Sequence, residues 1–284
     1  MKGSNMPSYS EVLQWASSFL ADRGVDPHVA KWLMREGLDL SPTDLLVKAK
    51  DPMPAGDRQD YTKQVKLASH HYPAQYIVGH EWFDGHKFQV NPAALIPRPE
   101  TEAWFASYID KLSPNPLKLV DIGTGTGVIG ISHKLRRPQD QVYLTDILDQ
   151  TLDLARANAQ RLGAEVHFVQ GDFLTPLLDQ DIHFDLIVSN PPYIAKEEWD
   201  EMDESVRKYE PQLALFADQD SLAAYQKILT QSKLLVSDKF VILLEIGYNQ
   251  GQVVAHLAQE TYPQARVKTW TDLAGLDRLV SVVV

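Results

Sequence analysis

The chain contains 284 residues, of which 44% are apolar and 23% are charged, so it can bury a substantial hydrophobic core. It contains no cysteine, which excludes disulfides, thiolate metal ligands and cysteine nucleophiles. The 27 basic and 38 acidic side chains give a formal net charge of −11. This charge counts against nucleic acid as the main partner, because proteins that bind nucleic acid neutralise phosphates with lysine and arginine.

The sequence predicts neither a secretory signal nor a membrane-spanning segment. The N-terminal stretch MKGSNMPSYS has no apolar core of a signal peptide, and no segment approaches the roughly 18 apolar residues of a membrane-spanning helix. Gly3, Ser4 and Asn5 resemble a cloning remnant, with Met6 as the natural start. Together with the lack of disulfides, these features predict a cytoplasmic protein without a membrane partner, and we expect it to be a monomer.

Residues 7–75 are predicted to form a helical N-terminal domain. The stretch YSEVLQWASSFLADRG places its apolar residues on one helical stripe and ends at Gly24. Asp26-Pro27 and Ser41-Pro42 are typical helix starts, because each combines a capping side chain with proline at the first helical position. A further helix is predicted over residues 57–72. The alternation typical of strands is absent from this part of the sequence.

Residues 76–98 are predicted to form a β-hairpin and a linker. Asp84-Gly85 separates two alternating runs within residues 81–90, which is the strongest short signal for a hairpin. The proline-rich stretch that follows is predicted to be a loop, and Pro99 leads into a helix.

Residues 99–284 are predicted to form the main α/β domain. From Leu117 onward, strand and helix patterns alternate, and seven strands with helices between most of them predict a doubly wound, mostly parallel sheet. The last two strands, ARVKTWTD and DRLVSVVV, are separated only by LAGL. This connection is too short for a parallel crossover, so the two strands are predicted to pair antiparallel.

A glycine-rich loop, LVDIGTGTGVIG, follows the first strand of this domain and opens a helix. Two interpretations are open. The loop satisfies the dinucleotide pattern G-x-G-x-x-G, which places pyrophosphate at a helix N-terminus. It also forms a tighter acid-and-glycine loop that resembles S-adenosylmethionine-dependent methyltransferases, in which an acid near a cationic sulfonium is electrostatically favourable. The candidate cofactor-binding residues are Asp121, Gly123, Thr124, Gly125, Thr126 and Gly127.

Acidic residues end the second and third strands. Asp146 can accept hydrogen bonds from ribose hydroxyls in either class of cofactor, so it does not discriminate between them. Asp172 is a candidate for the edge of adenine and Phe173 for its face. Alternatively, these two residues are a helix cap and a core phenylalanine.

The fourth strand ends in the stretch DLIVSNPPYI. Ligands of open α/β sheets bind at the carboxyl ends of the strands, and this strand is expected to neighbour the first one. The Asn190 side chain and the Pro191 carbonyl are expected to accept the two N–H bonds of an amide or amino group. Pro192 helps to hold the turn rigid, and Tyr193 offers a flat face to the same group. The alternative is an asparagine cap followed by a proline turn.

The combination of these motifs resembles one family of enzymes. DIGTGTG followed by SNPPY is similar to amino-group methyltransferases that act on adenine, cytosine or glutamine. LIPRPETE, YEPQLAL, EIGYNQG and LAGLDRLV extend the resemblance, nearly end to end, to the glutamine N5-methyltransferases of peptide chain release factors. That family uses S-adenosylmethionine to methylate the glutamine of the Gly-Gly-Gln motif in bacterial class 1 release factors.

The resemblance implies roles for individual residues. The loop from Gly123 to Gly127 would hold the cofactor, with Asp146 bound to its ribose and Phe173 beside its adenine. The residues from Asn190 to Tyr193 would bind the glutamine amide, and Asn190 would also reach the cofactor. The helical domain and the hairpin would help to recognise the release factor. Two residues depart from the family pattern: Phe173 stands where tryptophan is common, and Ser221 stands where glycine is usual.

Four histidines, His70, His71, His80 and His86, match no metal-ligand spacing, and no cluster of acids joins them. They are interpreted as surface and hairpin residues, and no metal site is predicted.

The sequence leaves two alternative roles for each of two charged residues and one charged segment. Arg98 either contacts substrate or cofactor, or pairs with Glu100 or Glu102. Glu245, at the end of a buried strand, is either structural or part of the floor of the site. The segment 196–204 is interpreted as a solvated acidic helix or loop over the site, with a surface for a cationic partner as the alternative.

Three functions compete with glutamine methylation. An adenine N6-methyltransferase of nucleic acids would share the Asn-Pro-Pro-aromatic stretch, but the net charge and the lack of a basic recognition region count against it. A nicotinamide-dependent oxidoreductase would share the glycine pattern but leaves the two prolines unexplained. A scaffold that binds cofactor without catalysis is disfavoured by the intact Asn190 and glycine loop.

Overall fold

The computed structural model describes residues 6–194, 196–216 and 221–284. Residues 1–5, which include the proposed cloning remnant, and residues 217–220, which directly precede Ser221, lie outside the described part. The helices are α1 Tyr9–Ala21, α2 His28–Gly37, α3 Pro42–Val47, α4 Ala55–Ala68, α5 Ala74–Val78, α6 Pro99–Ile109, α7 Val128–Arg136, α8 Asp149–Leu162, α9 Glu204–Tyr209, α10 Gln212–Leu215, α11 Ala223–Ser232 and α12 Gly251–Thr261. The strands are β1 His80–Phe83, β2 His86–Gln89, β3 Lys118–Ile122, β4 Gln141–Asp146, β5 His167–Gln170, β6 Phe184–Ser189, β7 Val236–Glu245, β8 Arg266–Thr271 and β9 Asp277–Val283.

The chain divides into two compact units, and the first comprises Met1–His80 with Asp203–Tyr209. Helices α1 and α3 begin with capping boxes, in which the hydroxyls of Ser8 and Ser41 accept hydrogen bonds from backbone N–H groups three residues later. The buried Tyr61 hydroxyl donates to the Ala30 carbonyl at 2.9 Å, so its polar end is satisfied within an apolar core. The predicted N-terminal helical region is thereby confirmed.

The second unit comprises Glu81–Met202 and Glu210–Val284, and it begins with the predicted hairpin. Strands β1 and β2 are joined by Asp84 and Gly85, whose φ angles are 50° and 75°. Positive φ at both central residues is the geometry of the tight hairpin turn that Asp-Gly favours. Phe83 and Phe88 are fully buried in a core cluster of this unit. The functional division at 7–75, 76–98 and 99–284 stays a prediction.

The main sheet has seven strands in the order β5-β4-β3-β6-β7-β9-β8. Strands β3 to β7 pair in parallel, whereas β9 pairs antiparallel with both β7 and β8. This confirms the predicted doubly wound, mostly parallel sheet, the antiparallel final pair and the position of the fourth strand beside the first. The insertion of β9 between β7 and β8 is not evident from the sequence.

Both faces of the central strands are buried, as parallel sheets require. In β3, Leu119 belongs to one core cluster, while Val120 and Ile122 belong to the other. In β6, Leu186 and Ile187 are divided between the clusters in the same way, because successive side chains point to opposite faces. Such strands are held rigidly, which fixes the loops at their carboxyl ends.

Among the described residues, no helix is both long and apolar enough to cross a lipid bilayer. The same residues contain no group of three or more His, Asp or Glu side chains arranged to hold a metal ion. His71 lies 3.3 Å from Glu204, and His80 lies 2.9 Å from Glu36, both within the first unit.

Candidate functional site

A cavity of about 460 Å³ lies in the second unit at the carboxyl ends of β3, β4, β5 and β6. Its volume is in the range typical of small-molecule sites. Of the residues singled out in the sequence, the cavity wall includes Gly123, Thr124, Gly125, Thr126, Asp146, Asp172, Phe173, Asn190 and Pro192. The sheet topology therefore brings the glycine loop and the asparagine turn to the same space.

The glycine loop connects β3 to α7 through three residues in the left-handed region. The φ angles of Gly123, Gly125 and Gly127 are 65°, 57° and 85°. A Cβ on Gly123 would have no protein atom within 4 Å, and one on Gly125 would have only Ala94 Cβ, at 3.9 Å. Since both glycines line the cavity, a side chain at either position would occupy space that a ligand can use.

Gly127 has a different role from the first two glycines. A Cβ on Gly127 would lie 2.5 Å from Ile131 Cδ1, so the third glycine permits close packing of the loop against α7. Among the described residues that line the cavity, Gly127 is not included.

Asp146 ends β4 and is tied to the neighbouring loops. Its carboxylate accepts hydrogen bonds from the Gly125 N–H at 3.1 Å and from the Leu148 N–H at 3.2 Å. Burial raises the pKa of Asp146, although these backbone donors act in the opposite direction. The carboxylate lies on the cavity wall directly beside the glycine loop.

Asp121 lies behind the glycine loop, and it is not among the described residues that form the cavity wall. One of its oxygens accepts hydrogen bonds from the Thr124 hydroxyl at 2.6 Å and from the Gly130 N–H at 3.0 Å. Burial raises its pKa to about 6. Asp121 thus shapes the loop from inside the protein, and its contact with a cofactor remains a prediction.

Asp172 and Phe173 follow β5 on another side of the cavity. The Asp172 carboxylate forms an ion pair with the Lys227 ammonium group, which lies 5.5 Å from the centre of the Phe173 ring. Phe173 has a φ of 52°, which is unusual for a residue with a bulky side chain. The sequence patterns did not indicate Lys227, because it is one of several polar residues on the half-buried side of a helix.

The asparagine turn follows β6 directly. The Ser189 hydroxyl donates to the Ile122 carbonyl at 2.9 Å, which joins the ends of β6 and β3. Asn190 and Pro192 line the cavity, whereas Pro191 and Tyr193 are not among its described lining residues. The Tyr193 ring packs on the hydrophobic core, and burial raises its pKa. The Tyr193 carbonyl accepts a hydrogen bond from the Gln250 side chain at 3.2 Å.

Glu245 lies behind Asn190 at the end of β7. One oxygen of its carboxyl group, Oε2, accepts hydrogen bonds from the Thr101 hydroxyl at 2.7 Å and from the Trp104 indole N–H at 2.8 Å. Asn190 Nδ2 in turn lies 3.4 Å from Thr101 Oγ1. Burial raises the pKa of Glu245 to about 7. Glu245 is therefore hydrogen-bonded to Thr101 of the cavity wall through α6, and Glu245 is not itself among the described lining residues.

Arg98 lines the cavity, but its ion pair differs from the one expected. The interpretation that Arg98 pairs with Glu100 or Glu102 is wrong, because its guanidinium lies 2.6 Å from the carboxylate of Glu210. Glu210 also accepts a hydrogen bond from the Ile96 N–H at 3.2 Å. The buried Glu210 side chain joins two segments that are far apart in sequence, which no local pattern can reveal.

The segment 196–204 contains a short 3-10 helix, Lys196–Glu201, and the start of α9. Trp199 packs against Phe216, a residue of the cavity wall, with 5.3 Å between the ring centres. This contact brings an aromatic residue of the acidic segment close to the cavity.

The described cavity fits a nucleoside cofactor without a phosphate. It combines two glycines that leave open space, a carboxylate that can bind hydroxyl groups, and an aromatic ring. The wall also contains Arg98 and Lys227, but each of these cations is already paired with a carboxylate. A pyrophosphate would have to compete with those pairs, so the donor set favours the methyltransferase interpretation of the loop over the dinucleotide one.

Comparison with known proteins identifies two sequence families within the chain. The model of the Methyltransferase small domain matches residues 105–208, and that of the PrmC N-terminal domain matches residues 11–79. A release factor glutamine methyltransferase of Enterococcus faecalis is 41% identical over 271 residues, which cover 95% of this chain and 97% of that protein. The protein of the same description from Bacillus subtilis is 35% identical over 284 residues, covering 98% and 99% of the two chains.

Solved structures share the fold at much lower sequence identity. A methyltransferase from Pyrococcus furiosus has a TM-score of 0.51 and 14% identity, covering 81% of this chain and 98% of its own. A 16S rRNA methyltransferase of Thermus thermophilus, in complex with AdoMet and guanosine, has a TM-score of 0.51 and 13% identity, covering 72% and 49%. These similarities concern the fold alone.

Proposed function

This chain belongs to the family of release factor glutamine methyltransferases, and we propose that it transfers a methyl group from S-adenosylmethionine to a glutamine side chain of a release factor. The observation that carries the proposal is the shared cavity. The glycine loop and Asp146 lie on one side of it, and Asn190 lies on another. A donor of methyl groups and an acceptor amide can therefore be held next to each other.

We assign the cofactor to the side of the cavity formed by the glycine loop. Gly123 and Gly125 would let the cofactor approach the backbone, and the Asp146 carboxylate would accept hydrogen bonds from ribose hydroxyls. Asp172 and Phe173 would contact the adenine, although Lys227 would have to share the Asp172 carboxylate. When bound, S-adenosylmethionine supplies a methyl group on a positively charged sulfur.

The glutamine amide is assigned to the asparagine turn. The Asn190 side-chain oxygen and the Pro191 carbonyl would accept its two N–H bonds, and Pro192 would keep the turn rigid. Packing of Tyr193 against the amide plane stays a prediction, because its ring packs on the hydrophobic core and it is not among the described residues of the cavity wall. The amide nitrogen would take the methyl group that the cofactor supplies, leaving S-adenosylhomocysteine as the other product, and would release one proton to water. Because a neutral amide is a poor nucleophile, positioning and fixed dipoles must supply most of the rate.

The proposed substrate is the glutamine of the Gly-Gly-Gln motif in bacterial class 1 release factors. Relatives described as release factor glutamine methyltransferases align along nearly the whole chain, including the helical region. We therefore propose that residues 7–75 and the hairpin take part in recognising the release factor. A cytoplasmic monomer is the corresponding proposal for location and assembly.

The competing functions find less support. An enzyme acting on adenine in nucleic acids would share the asparagine turn, but the relatives and the net charge of −11 both disfavour it. A scaffold without catalysis would bind the cofactor but produce no methylated protein.

Mass spectrometry of a bacterial release factor incubated with this protein and S-adenosylmethionine tests the proposal. We expect one added methyl group on the glutamine of the Gly-Gly-Gln motif. A release factor with Gln→Ala at that position is the matched control and should stay unmodified. Confirmed cofactor binding without any methylation would contradict the proposed reaction and favour the scaffold or another substrate.

A further inference from the structure

Asn190 is connected to two buried polar residues, of which Thr101 lines the cavity and Glu245 is not among its described lining residues. Thr101 and Glu245 are each 3% exposed, and they lie on α6 and β7. The hydrogen bonds run from Asn190 Nδ2 to Thr101 Oγ1 at 3.4 Å, and from the Thr101 hydroxyl to Glu245 Oε2 at 2.7 Å. Burying a carboxyl group at the end of a core strand is costly, so this arrangement calls for a functional reason.

A fourth residue, Trp104, helps to determine which atoms donate and which accept in the hydrogen bonds between Asn190, Thr101 and Glu245. The Trp104 indole N–H can only donate, and it donates to Glu245 Oε2 at 2.8 Å. In its carboxylate form Glu245 can only accept, so Oε2 accepts from Trp104 and also takes the single proton of the Thr101 hydroxyl in a hydrogen bond. Thr101 Oγ1 then has only lone pairs to offer Asn190. The group that faces Thr101 must be the Asn190 –NH2.

An asparagine amide is nearly symmetric in shape, so packing alone does not decide which of its ends points into a cavity. A hydrogen bond from the –NH2 group to Thr101 breaks that symmetry. It leaves Asn190 Oδ1 as the end available to a substrate on the cavity side. An oxygen accepts hydrogen bonds from an –NH2 group but repels the oxygen of a carboxylate.

We propose that Thr101 and Glu245 are positioning residues that hold Asn190 with its side-chain oxygen toward the substrate, so that the site selects a side-chain amide over a carboxylate. This inference rests on the proposed function, because it assigns the substrate group to Asn190. It adds Thr101 and Glu245 to the residues assigned to the reaction, and it gives a physical reason why the site would accept glutamine and reject glutamate. Without the Thr101 hydroxyl, the Asn190 amide can turn over and present its –NH2 to a carboxylate.

Competition between altered release factors measures this selection. Two competitors that cannot be methylated, with Gln→Glu and Gln→Ala in the Gly-Gly-Gln motif, are titrated against methylation of the normal release factor. The inhibition constant of the Gln→Glu competitor is divided by that of the Gln→Ala competitor. This ratio isolates the contribution of the carboxylate to binding. We expect the ratio to be above one in the wild-type protein, and to fall roughly tenfold in Thr101→Val, the effect of one exchanged hydrogen bond.

The matched variants separate positioning from a general loss of stability. Thr101→Ser retains a hydroxyl and should restore the wild-type ratio. Tyr225→Phe removes a buried hydroxyl that donates to the Glu245 carbonyl at 3.0 Å, so it should leave the ratio unchanged. If Thr101→Val does not fold, as judged by its melting temperature, Thr101→Ala makes the same comparison.

Two results would overturn these proposals in distinguishable ways. A ratio that is the same in the wild type and in both variants lacking the hydroxyl, with methylation intact in the wild type, would refute the positioning role of Thr101. Absence of methylation by the wild-type protein would instead refute the proposed function itself.

Discussion

At the scale of single residues, the cavity combines groups whose environments differ sharply. Asn190 is a neutral side chain beside buried Thr101, whereas Asp146 is a carboxylate that already accepts two backbone N–H groups. The first is suited to orient a neutral amide, and the second to hold hydroxyl groups. Substitution of each residue should therefore affect a different step.

Replacing Asn190 by alanine should lower turnover by about 10²–10³-fold, the usual effect of removing one preorganised polar contact in an active site. The protein should remain folded, because the backbone turn at Pro191 and Pro192 does not depend on that side chain. Steady-state methylation of a release factor gives the turnover, and the melting temperature checks the fold. Activity within a few-fold of the wild type would contradict the assigned role.

Replacing Asp146 by alanine should mainly weaken cofactor binding, by about 10- to 100-fold, because hydrogen bonds to a charged group contribute roughly 1.5–3 kcal/mol. Calorimetric titration with S-adenosylmethionine measures the affinity. Asp146→Asn is the matched variant: it retains one oxygen that can accept from the Gly125 N–H, so its loss should be smaller. Unchanged affinity in Asp146→Ala would rule out the ribose assignment.

At the scale of elements, the glycine loop shows how one motif serves both ligand and packing. Gly123 and Gly125 leave space in the cavity, whereas Gly127 lets the start of α7 pack closely. The same spacing of glycines in the sequence therefore has two physical causes, and only the contacts around each one distinguish them.

Replacing Gly127 by alanine should destabilise the protein by about 2–4 kcal/mol. The left-handed backbone, with φ of 85°, costs about 1–2 kcal/mol for alanine, and the contact of its Cβ with Ile131 adds overpacking. Gly163→Ala is the control, since its φ is 73° but its Cβ would have no protein atom within 4 Å. Urea unfolding compares the two variants, and equal losses would show that the contact with Ile131 contributes nothing.

At the scale of the whole molecule, the buried acids should make stability depend on pH. The pKa of Glu245 is about 7 in the folded protein, whereas an unperturbed glutamate, as in the unfolded chain, has a pKa of 4.5. The folded state therefore binds this proton more tightly than the unfolded state does. The stabilisation is full below the unfolded pKa and is lost as the pH rises through the folded pKa. Asp121, with a pKa of about 6, acts in the same direction.

The free energy of unfolding should therefore fall by about 2 kcal/mol between roughly pH 5.5 and pH 8 through Glu245 alone. Glu245→Gln removes the titrating group but retains an oxygen that can accept from Thr101 and Trp104. We expect this variant to flatten the pH profile measured by urea unfolding at several pH values. An identical slope in the variant and the wild type would show that Glu245 ionises normally in the folded protein.

Much of the architecture can be read from local patterns. The alternation of strands and helices predicts the doubly wound sheet, Asp84-Gly85 predicts the hairpin turn, and LAGL predicts the antiparallel final pair; the structure confirms all three. The glycine loop and the asparagine turn could also be predicted to meet, because β3 and β6 are neighbours whose carboxyl ends share one edge. Each of these features depends on periodicity, turn chemistry or the ends of adjacent strands, and the sequence by itself determined them.

Only the tertiary structure decided which side chains support those motifs. Thr101 reaches Glu245 across 144 residues, Arg98 reaches Glu210 across 112, and Lys227 reaches Asp172 across 55. The sequence left the role of Arg98 open, and the partners considered in one of its two alternatives, Glu100 and Glu102, are not the observed one. It also did not indicate Thr101, because no local period connects residues on separate elements. Such pairs form when packing brings two elements together and leaves a buried charge or donor that must be satisfied.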